Sequence, residues 1–436
     1  MTQAGANRHD PSGETELGQL GALLLDAGLS VTDVRNSLEA VSDAVRDDAP
    51  TLSFSVLPAA VLVTHDDTGA VTMINSGPAE LSFRQAAAAS RLVHQVLAAT
   101  VRLTDIPGQV KRIRSIPQPR PVISWAVGSA LVAVGLAIVY RCPWWSILTA
   151  AVVGALVGLT TKLLGRARDG AAIVPFVATF ASTVLVGAVA HIGGLGPVPL
   201  FGVCAPIAIL VPGALITNAL LELTATDIVT GSARLLYGLI VLGFMVAGII
   251  AGTAVTGLRI DPDSTALIGQ IRSVAGEGGW QALPPASLSW AGVIVLAVGV
   301  GIAFGSGRRL TVLSVSVMIS TYAILAMAAP LFGSVVATGL AAGVVFVAAR
   351  IIEQLTISVP AIVSFQPAFL LLVPGTLGLV ALAASDTEGL HTTPAIFVSL
   401  CLGIKVGALS AELCRRPFQQ VIARIRRHDI VPPDEA

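Results

Sequence analysis

Long apolar runs dominate the chain from Pro121 to about Glu412, and short polar segments separate them. Each run is about 17–25 residues long, which is the length of helix that crosses the hydrocarbon core of a bilayer. We predict ten membrane-spanning helices near residues 122–140, 145–163, 171–192, 199–221, 234–257, 287–306, 310–329, 332–350, 358–384 and 392–412. The ninth run holds three prolines, so we expect that helix to be broken.

Residues 1–120 have a different pattern, with short apolar runs and more acidic groups. Apolar residues recur at helical spacing over Leu17–Ala27 and Val31–Val45, whereas β-branched residues over Thr51–Thr64 predict a strand. Three prolines from Pro117 to Pro121 predict a stiff linker. We therefore expect a small soluble α/β module ahead of an all-α polytopic membrane protein. The predicted organisation is a module and linker over 1–120, a first five-helix membrane repeat over 121–257, an extracytoplasmic loop over 258–286, a second five-helix repeat over 287–412 and a cytoplasmic tail over 413–436.

Composition supports the membrane assignment. Hydrophobic residues make up 54% of the 436 residues and charged residues only 12%, against roughly 25% charged in soluble domains. This balance excludes an ordinary soluble enzyme, a disordered chain and a fibrous protein. The 26 basic and 26 acidic residues cancel, so net charge does not favour a nucleic-acid partner. The four cysteines lack metal-site spacing, and the polar N-terminus does not resemble a cleavable signal peptide.

The placement of Lys and Arg predicts an orientation. If the N-terminus is cytoplasmic, the inner loops hold most of the basic residues of the membrane part, whereas the outer loops hold only Arg141, Arg259 and Arg272. Cytoplasmic loops are enriched in Lys and Arg in membrane proteins. We therefore expect a multi-pass protein of the plasma (cell inner) membrane with both termini in the cytoplasm.

Two short motifs recur between the halves of the membrane part. The sequence Leu-Val-Pro-Gly at 210–213 returns 162 residues later at 372–375, and Leu242–Ala247 aligns with Leu402–Gly407 one predicted helix after each copy. After five crossings the chain emerges on the opposite side, so the second half would be inverted. Inverted repeats are typical of secondary transporters, which bind their substrate near the midplane. Chance matching in a chain rich in Leu, Val and Gly is the alternative.

The chain resembles the threonine/serine exporter family in its form with both halves fused. The resemblance rests on the segment Leu24-Leu25-Asp26-Ala27-Gly28, followed by a helix and a strand, and on a soluble module that precedes five spans and then a second five. It implies export of threonine and serine by proton antiport, driven by the proton motive force, with these amino acids, protons and the bilayer as partners. Related two-chain systems are linked to carboxylate export, so a dicarboxylate or other organic-acid exporter is the alternative.

A Val-Pro-Gly sequence inside a span breaks the helix, because Pro lacks an N–H group and Gly permits a bend. The positive end of the half-helix after each break would suit an α-carboxylate, while a packing kink without a ligand is the alternative. The candidate substrate-binding residues are Pro212, Gly213, Thr217, Asn218, Gln366, Pro374, Gly375, Thr376 and Lys405.

Two charged residues are candidates for proton coupling. Lys405 is one of three lysines and lies inside the tenth predicted span, where a charge costs at least about 2.5–3.5 kcal/mol. It would bind a substrate carboxylate or carry the coupling proton, unless its side chain reaches the cytoplasmic surface instead. Glu222, at the end of the fourth span, is the second candidate, and its alternative role is to mark the cytoplasmic end of that span.

Other classes of protein receive less support. The chain contains no G-x-x-x-x-G-K-[ST] loop, paired intramembrane aspartates or His-rich site, so we expect no ATP coupling, enzyme activity, cofactor or metal. His65, Asp66 and Asp67 are better explained by a turn than by hydrolase chemistry. A channel stays open as an alternative to an antiporter. Glycines four residues apart permit close helix packing, which is compatible with a homo-oligomer; these pairs are Gly154/Gly158 and Gly339/Gly343.

Overall fold

Helices form most of the described residues, together with one antiparallel sheet of three strands and one short pair of parallel strands. The computed structural model describes residues 12–45, 51–77, 80–118, 120–165, 173–261, 268, 279–355, 361–372, 395–396, 398–411 and 413. The other residues lie outside this description.

The N-terminal residues combine four helices with an antiparallel sheet of order β1-β2-β3. The elements are α1 (Ser12–Asp26), α2 (Val31–Ala44), β1 (Leu52–Leu57), β2 (Ala60–His65), β3 (Val71–Asn75), α3 (Phe83–Leu97), a 3-10 turn (Leu103–Asp105) and α4 (Ile106–Arg114). The stretch predicted as one strand is a hairpin, in which Leu57 pairs with Ala60. Pro58 explains the turn, because it fixes φ and has no N–H group to continue the ladder.

The apolar stripes predicted from the sequence form the core of these N-terminal residues. Leu20 and Leu24 of α1 and Leu38 of α2 are buried. The side chain of Ser30 caps α2 by accepting a hydrogen bond from the Asp33 amide at 3.1 Å. A Cβ atom on Gly21 would lie 3.0 Å from Val61, so α1 packs closely on β2.

The membrane part follows as a series of apolar helices. They are α5 (Pro121–Val139), α6 (Trp144–Leu164), α7 (Val174–Gly193), α8 (Leu200–Cys204) continued by a 3-10 helix (Ala205–Leu210), α9 (Gly213–Thr224), α10 (Ile228–Thr256), α11 (Leu288–Ala303), α12 (Arg308–Leu355), α13 (Ala361–Leu372) and α14 (Val398–Ala411). A short parallel pair, β4 (Val198–Pro199) with β5 (Ile260–Asp261), joins the segments before α8 and after α10.

Five of the described helices are long and apolar enough to cross a membrane, and a bent pair formed by Leu200–Leu210 and Gly213–Thr224 makes a sixth. The chain is therefore a multi-pass membrane protein. Within α12, Gly333 has a φ of 78° and kinks the helix between the positions of the seventh and eighth predicted spans. The number of ten crossings and the two-half repeat stay predictions.

Small residues allow the membrane helices to approach closely. A Cβ atom on Gly135 of α5 would lie 2.5 Å from the backbone nitrogen of Leu296 in α11. The glycine pair of α6 packs on Ser129 and its neighbours in α5, and the pair of α12 packs on α14. The two glycine pairs that suggested an oligomer therefore pack inside the chain, where close approach of backbones strengthens helix association.

We predict that Gly135→Ala destabilises the protein, because the added methyl group clashes with backbone atoms of α11, which cannot relieve the clash by a change of rotamer. Overpacking of this kind costs about 1–3 kcal/mol of unfolding free energy. Gly243→Ala is the matched control, since a Cβ atom at Gly243 meets nothing within 4 Å. The thermal unfolding midpoint in detergent measures both, and an equal midpoint for the two variants would contradict the prediction.

Candidate functional site

A sharp helix break lies at the first Leu-Val-Pro-Gly motif. The segments Leu200–Leu210 and Gly213–Thr224 meet at an angle of 71°. Val211 is extended, with ψ at 124°, and Pro212 precedes α9 without a side-chain cap. Because Pro212 cannot donate a backbone hydrogen bond, the helix ends before it and restarts at Gly213. In the first turn of α9, the Gly213 amide donates to the Val211 carbonyl oxygen at 2.7 Å and the Ile216 amide to that of Pro212 at 3.1 Å, whereas the amides between them precede the regular hydrogen bonds of the helix.

An aromatic ring from α13 covers this break. A Cβ atom on Gly213 would lie 3.0 Å from Cδ1 of Phe369, and Phe369 is fully buried. The helix α13 belongs to the second predicted half, so elements from both predicted halves meet at the break. Gln366 lies in α13 but its side chain is outside the description, and Pro374, Gly375 and Thr376 lie outside the described residues.

The polar residues predicted on α9 are buried, Thr217 and Asn218 about one turn after the break and Glu222 near the C-terminal end of the helix. The Thr217 hydroxyl donates to the Gly213 carbonyl oxygen at 2.8 Å, and the Asn218 amide nitrogen donates to the carbonyl oxygen of Gly28 at 2.8 Å. Glu222, which has no exposed surface, accepts a hydrogen bond from the Val31 amide at 2.9 Å and pairs with Arg234 of α10. Two of the three polar residues predicted on α9 therefore contact the N-terminal residues directly.

Each of these two side chains keeps an unused acceptor. Within the described part of the chain, Oδ1 of Asn218 and Oε2 of Glu222 have no hydrogen-bond partner. Residues four apart on a helix lie on the same side of it. The buried side of α9 thus carries two acceptors that a cation, a proton or a ligand donor can satisfy.

The first turn of α2 docks on the polar residues that follow the break. The Glu222 carboxylate lies at the N-terminus of α2, where the helix dipole favours a negative charge. Asp227, between α9 and α10, accepts hydrogen bonds from Thr32 at 2.7 Å and from Arg35 at 2.7 Å. Burial alone would raise the pKa of Asp227, but the hydrogen bonds from Arg35 and Thr32 hold it below its usual value.

Docking also involves helices beyond α10. Arg350 of α12 donates to Asp33 of α2 at 2.6 Å and to Glu353 at 2.8 Å. The sequence suggested only the Arg350–Glu353 pair. The Phe83 ring stacks on Phe304, which follows α11, with centroids 5.2 Å apart. The N-terminal residues therefore touch elements of both predicted membrane halves.

Lys405 lies on α14 with an exposed side chain. It lines a cavity of about 570 Å³ together with residues of α2, α3, α9 and α12. Gly213, Thr217, Asn218 and Glu222 do not line this cavity. Among the predicted polar site residues whose side chains are described, those on α9 are buried, whereas Lys405 lies on the cavity wall.

Sequence reasoning missed the docking residues Asp33, Arg35 and Arg350. Their partners lie between 192 and 317 residues away along the chain, so no local pattern could reveal them. Among the described residues, no group of three or more His, Cys, Asp or Glu side chains could hold a metal ion.

We predict that Glu222→Gln loosens the docking of α2, because it leaves Arg234 buried without its counter-ion. Removing one partner of a buried pair typically costs about 3–5 kcal/mol. Hydrogen–deuterium exchange should become faster at the amides of residues 28–34, and the unfolding midpoint should fall. Glu39→Gln, at an exposed position of α2, controls for the loss of one acid. Equal exchange in the two variants would show that Glu222 does not hold α2 in place.

Comparison with known families assigns the chain. The family model ThrE, described as a threonine/serine exporter, matches residues 17–256, from α1 to the last residue of α10. Comparisons with curated proteins and with solved structures found no match. The match spans more than half of the 436 residues and confirms the resemblance seen in the sequence. The chain belongs to the threonine/serine exporter family.

Proposed function

We propose that the protein is a secondary transporter, not an enzyme, and that it exports threonine and serine in exchange for protons. The family supports transport of these amino acids. The observation that carries the proposal is the 71° break before α9, with Thr217, Asn218 and Glu222 buried behind it. Broken helices at membrane depth are tolerated where they line a protein-covered or watery cavity.

The break offers groups that suit a small amino acid. The first-turn amides and the positive end of α9 would hold an α-carboxylate. The unused Oδ1 atom of Asn218 would accept a hydrogen bond from a substrate ammonium or hydroxyl group. Phe369 covers Gly213, so a shift of α13 would open or close this space. In this proposal the substrate binds between α9 and α13.

Glu222 is our candidate for the coupling acid. Its carboxylate joins three helices, because it lies on α9, pairs with Arg234 of α10 and accepts from Val31 of α2. Protonation would remove the negative charge that attracts Arg234 and the N-terminus of α2. Uptake of a proton would thereby loosen α2 docking and link proton movement to rearrangement around the break.

We further propose that the N-terminal residues and both termini face the cytoplasm. The distribution of Lys and Arg supports this orientation. Ten crossings in two inverted halves also belong to the proposal, and the meeting of α9 with α13 supports them. Substrate would then pass between the halves, as in other transporters built from inverted repeats.

We predict that inside-out membrane vesicles accumulate labelled threonine when their interior is acidic. Collapse of the pH gradient by nigericin should abolish accumulation, since the proton flux drives it. Unlabelled serine should compete, and succinate should not. Vesicles lacking the protein provide the baseline. Equilibration of threonine without dependence on the gradient would indicate a channel, and competition by succinate would contradict the proposed substrates.

We predict that Gly213→Ala slows threonine transport, because the added methyl group presses on the Phe369 ring. A clash worth about 1–3 kcal/mol corresponds to a loss of at least about fivefold in rate. Gly243→Ala again serves as the control, being an alanine placed in open space on α10. Initial rates in the same vesicles, normalised to the amount of protein, measure both variants. Equal rates would argue against substrate passage at the break.

A further inference from the structure

The cavity next to Lys405 plays no part in the proposed path through the helix break. Its volume of about 570 Å³ falls within the roughly 300–1,000 Å³ of small-molecule sites. The N-terminal helices α2 and α3 form one wall, and α9, α12 and α14 form the other. The cavity therefore exists only while the N-terminal residues are docked.

The wall formed by α2 carries several polar groups. Asp33, Asn36 and Ser37 all line the cavity, and Asn36 and Ser37 lie three and four residues after Asp33, which places each of them next to Asp33 on the helix surface. Asp33 is held by Arg350 and by the Ser30 hydroxyl. The Asn36 side chain is exposed and has no hydrogen bond to a described residue, so both its donor and its acceptor are available.

The opposite wall carries an available cation. Arg350 lines the cavity but already donates to two carboxylates, those of Asp33 and Glu353. Lys405 lines the same space, and in the described part of the chain it forms no ion pair. Its ammonium group is thus the positive charge that a ligand in the cavity can neutralise.

The charges of the described lining residues balance. Their ionised side chains are two cations, Arg350 and Lys405, and two carboxylates, Asp33 and Glu353, while His94 adds a ring that is counted as neutral at pH 7. A net-neutral zwitterion preserves this balance, whereas a dicarboxylate would add two negative charges against Lys405, the one lining cation without an ion pair among the described residues. Buried or half-buried charges are stable when paired, so the balance favours a ligand with one carboxylate and one ammonium group.

We propose that this cavity is a second binding site, for a small zwitterionic amino acid, and that the N-terminal residues form half of it. The ligand carboxylate contacts Lys405, its ammonium group contacts the carboxylates of Asp33 and Glu353, and Asn36 bonds its side-chain hydroxyl. The choice of a hydroxylated amino acid rests on the proposed function. The existence of the site does not, because it follows from the cavity and its charges.

Hydrogen–deuterium exchange on the full chain in lipid nanodiscs tests the site without requiring transport. Added threonine should slow exchange in α2 and α14 of the unsubstituted protein. Lys405→Met should raise the threonine concentration for half-maximal protection at least tenfold, and Asn36→Ala should raise it severalfold. Lys405→Arg should restore most of the protection, because it returns the positive charge. Succinate and threonine amide, which lacks the carboxylate, should protect poorly.

Matched controls separate this site from the break. Lys111→Met and Asn75→Ala change the same residue types at exposed positions outside the cavity and should behave like the unsubstituted protein. Gly213→Ala should slow transport yet leave the protection of α2 intact.

The proposed site would be overturned by either of two results. One is an unchanged threonine concentration for half-maximal protection in both Lys405→Met and Asn36→Ala, and the other is no protection by threonine at all. Equal protection by succinate would overturn the ligand class. If the unsubstituted protein shows protection by threonine but no gradient-driven threonine transport, that result would count against the proposed function alone.

Discussion

The buried carboxylate of Glu222 is the constraint around which the rest of the structure is arranged. A carboxylate with no exposed surface is tolerated only when charge and hydrogen-bond partners surround it. Arg234 supplies the charge from α10, and the Val31 amide supplies a hydrogen bond from α2. One turn earlier, Asn218 holds the carbonyl oxygen of Gly28. These contacts fix the direction in which α9 leaves the break, and they fix the position of α2 over its end.

The second ion pair that holds α2, between Arg350 and Asp33, contributes less free energy to docking. Both side chains keep about a quarter of their surface exposed, and ion pairs near the surface contribute about 0–1 kcal/mol. Loss of one partner from the buried Glu222–Arg234 pair costs several times more. Most of the free energy of docking therefore comes from the contacts with α9 and α10, whereas Arg350 determines how α2 is aligned with α12.

Sequence patterns identified much of this fold because apolar length is a local property. The helices α5, α6, α7 and α10 lie where unbroken apolar runs placed them, and the break before α9 lies at Pro212-Gly213. The family was likewise recognisable from the order of its parts. The docking of α2 was not recognisable from the sequence, because Val31 and Glu222 are 191 residues apart and neither residue departs from the pattern of its own segment. For the same reason the sequence did not reveal that the Asn218 amide group, predicted to bind substrate, donates a hydrogen bond to the Gly28 carbonyl oxygen. The single-strand prediction missed the hairpin because the turn at Pro58 interrupts a run that is otherwise rich in β-branched residues.

Helix α2 touches α9 through Val31 and α12 through Asp33, two positions only two residues apart. One rigid turn of helix cannot keep its contacts with both α9 and α12 when these two helices move apart. Any rocking of α9 relative to α12 must therefore break one of the two contacts or pull the whole N-terminal unit along with one side. The free energy of the contact that breaks adds to the barrier of the rocking motion. The N-terminal residues therefore set an upper limit on the rate at which the membrane helices exchange between arrangements.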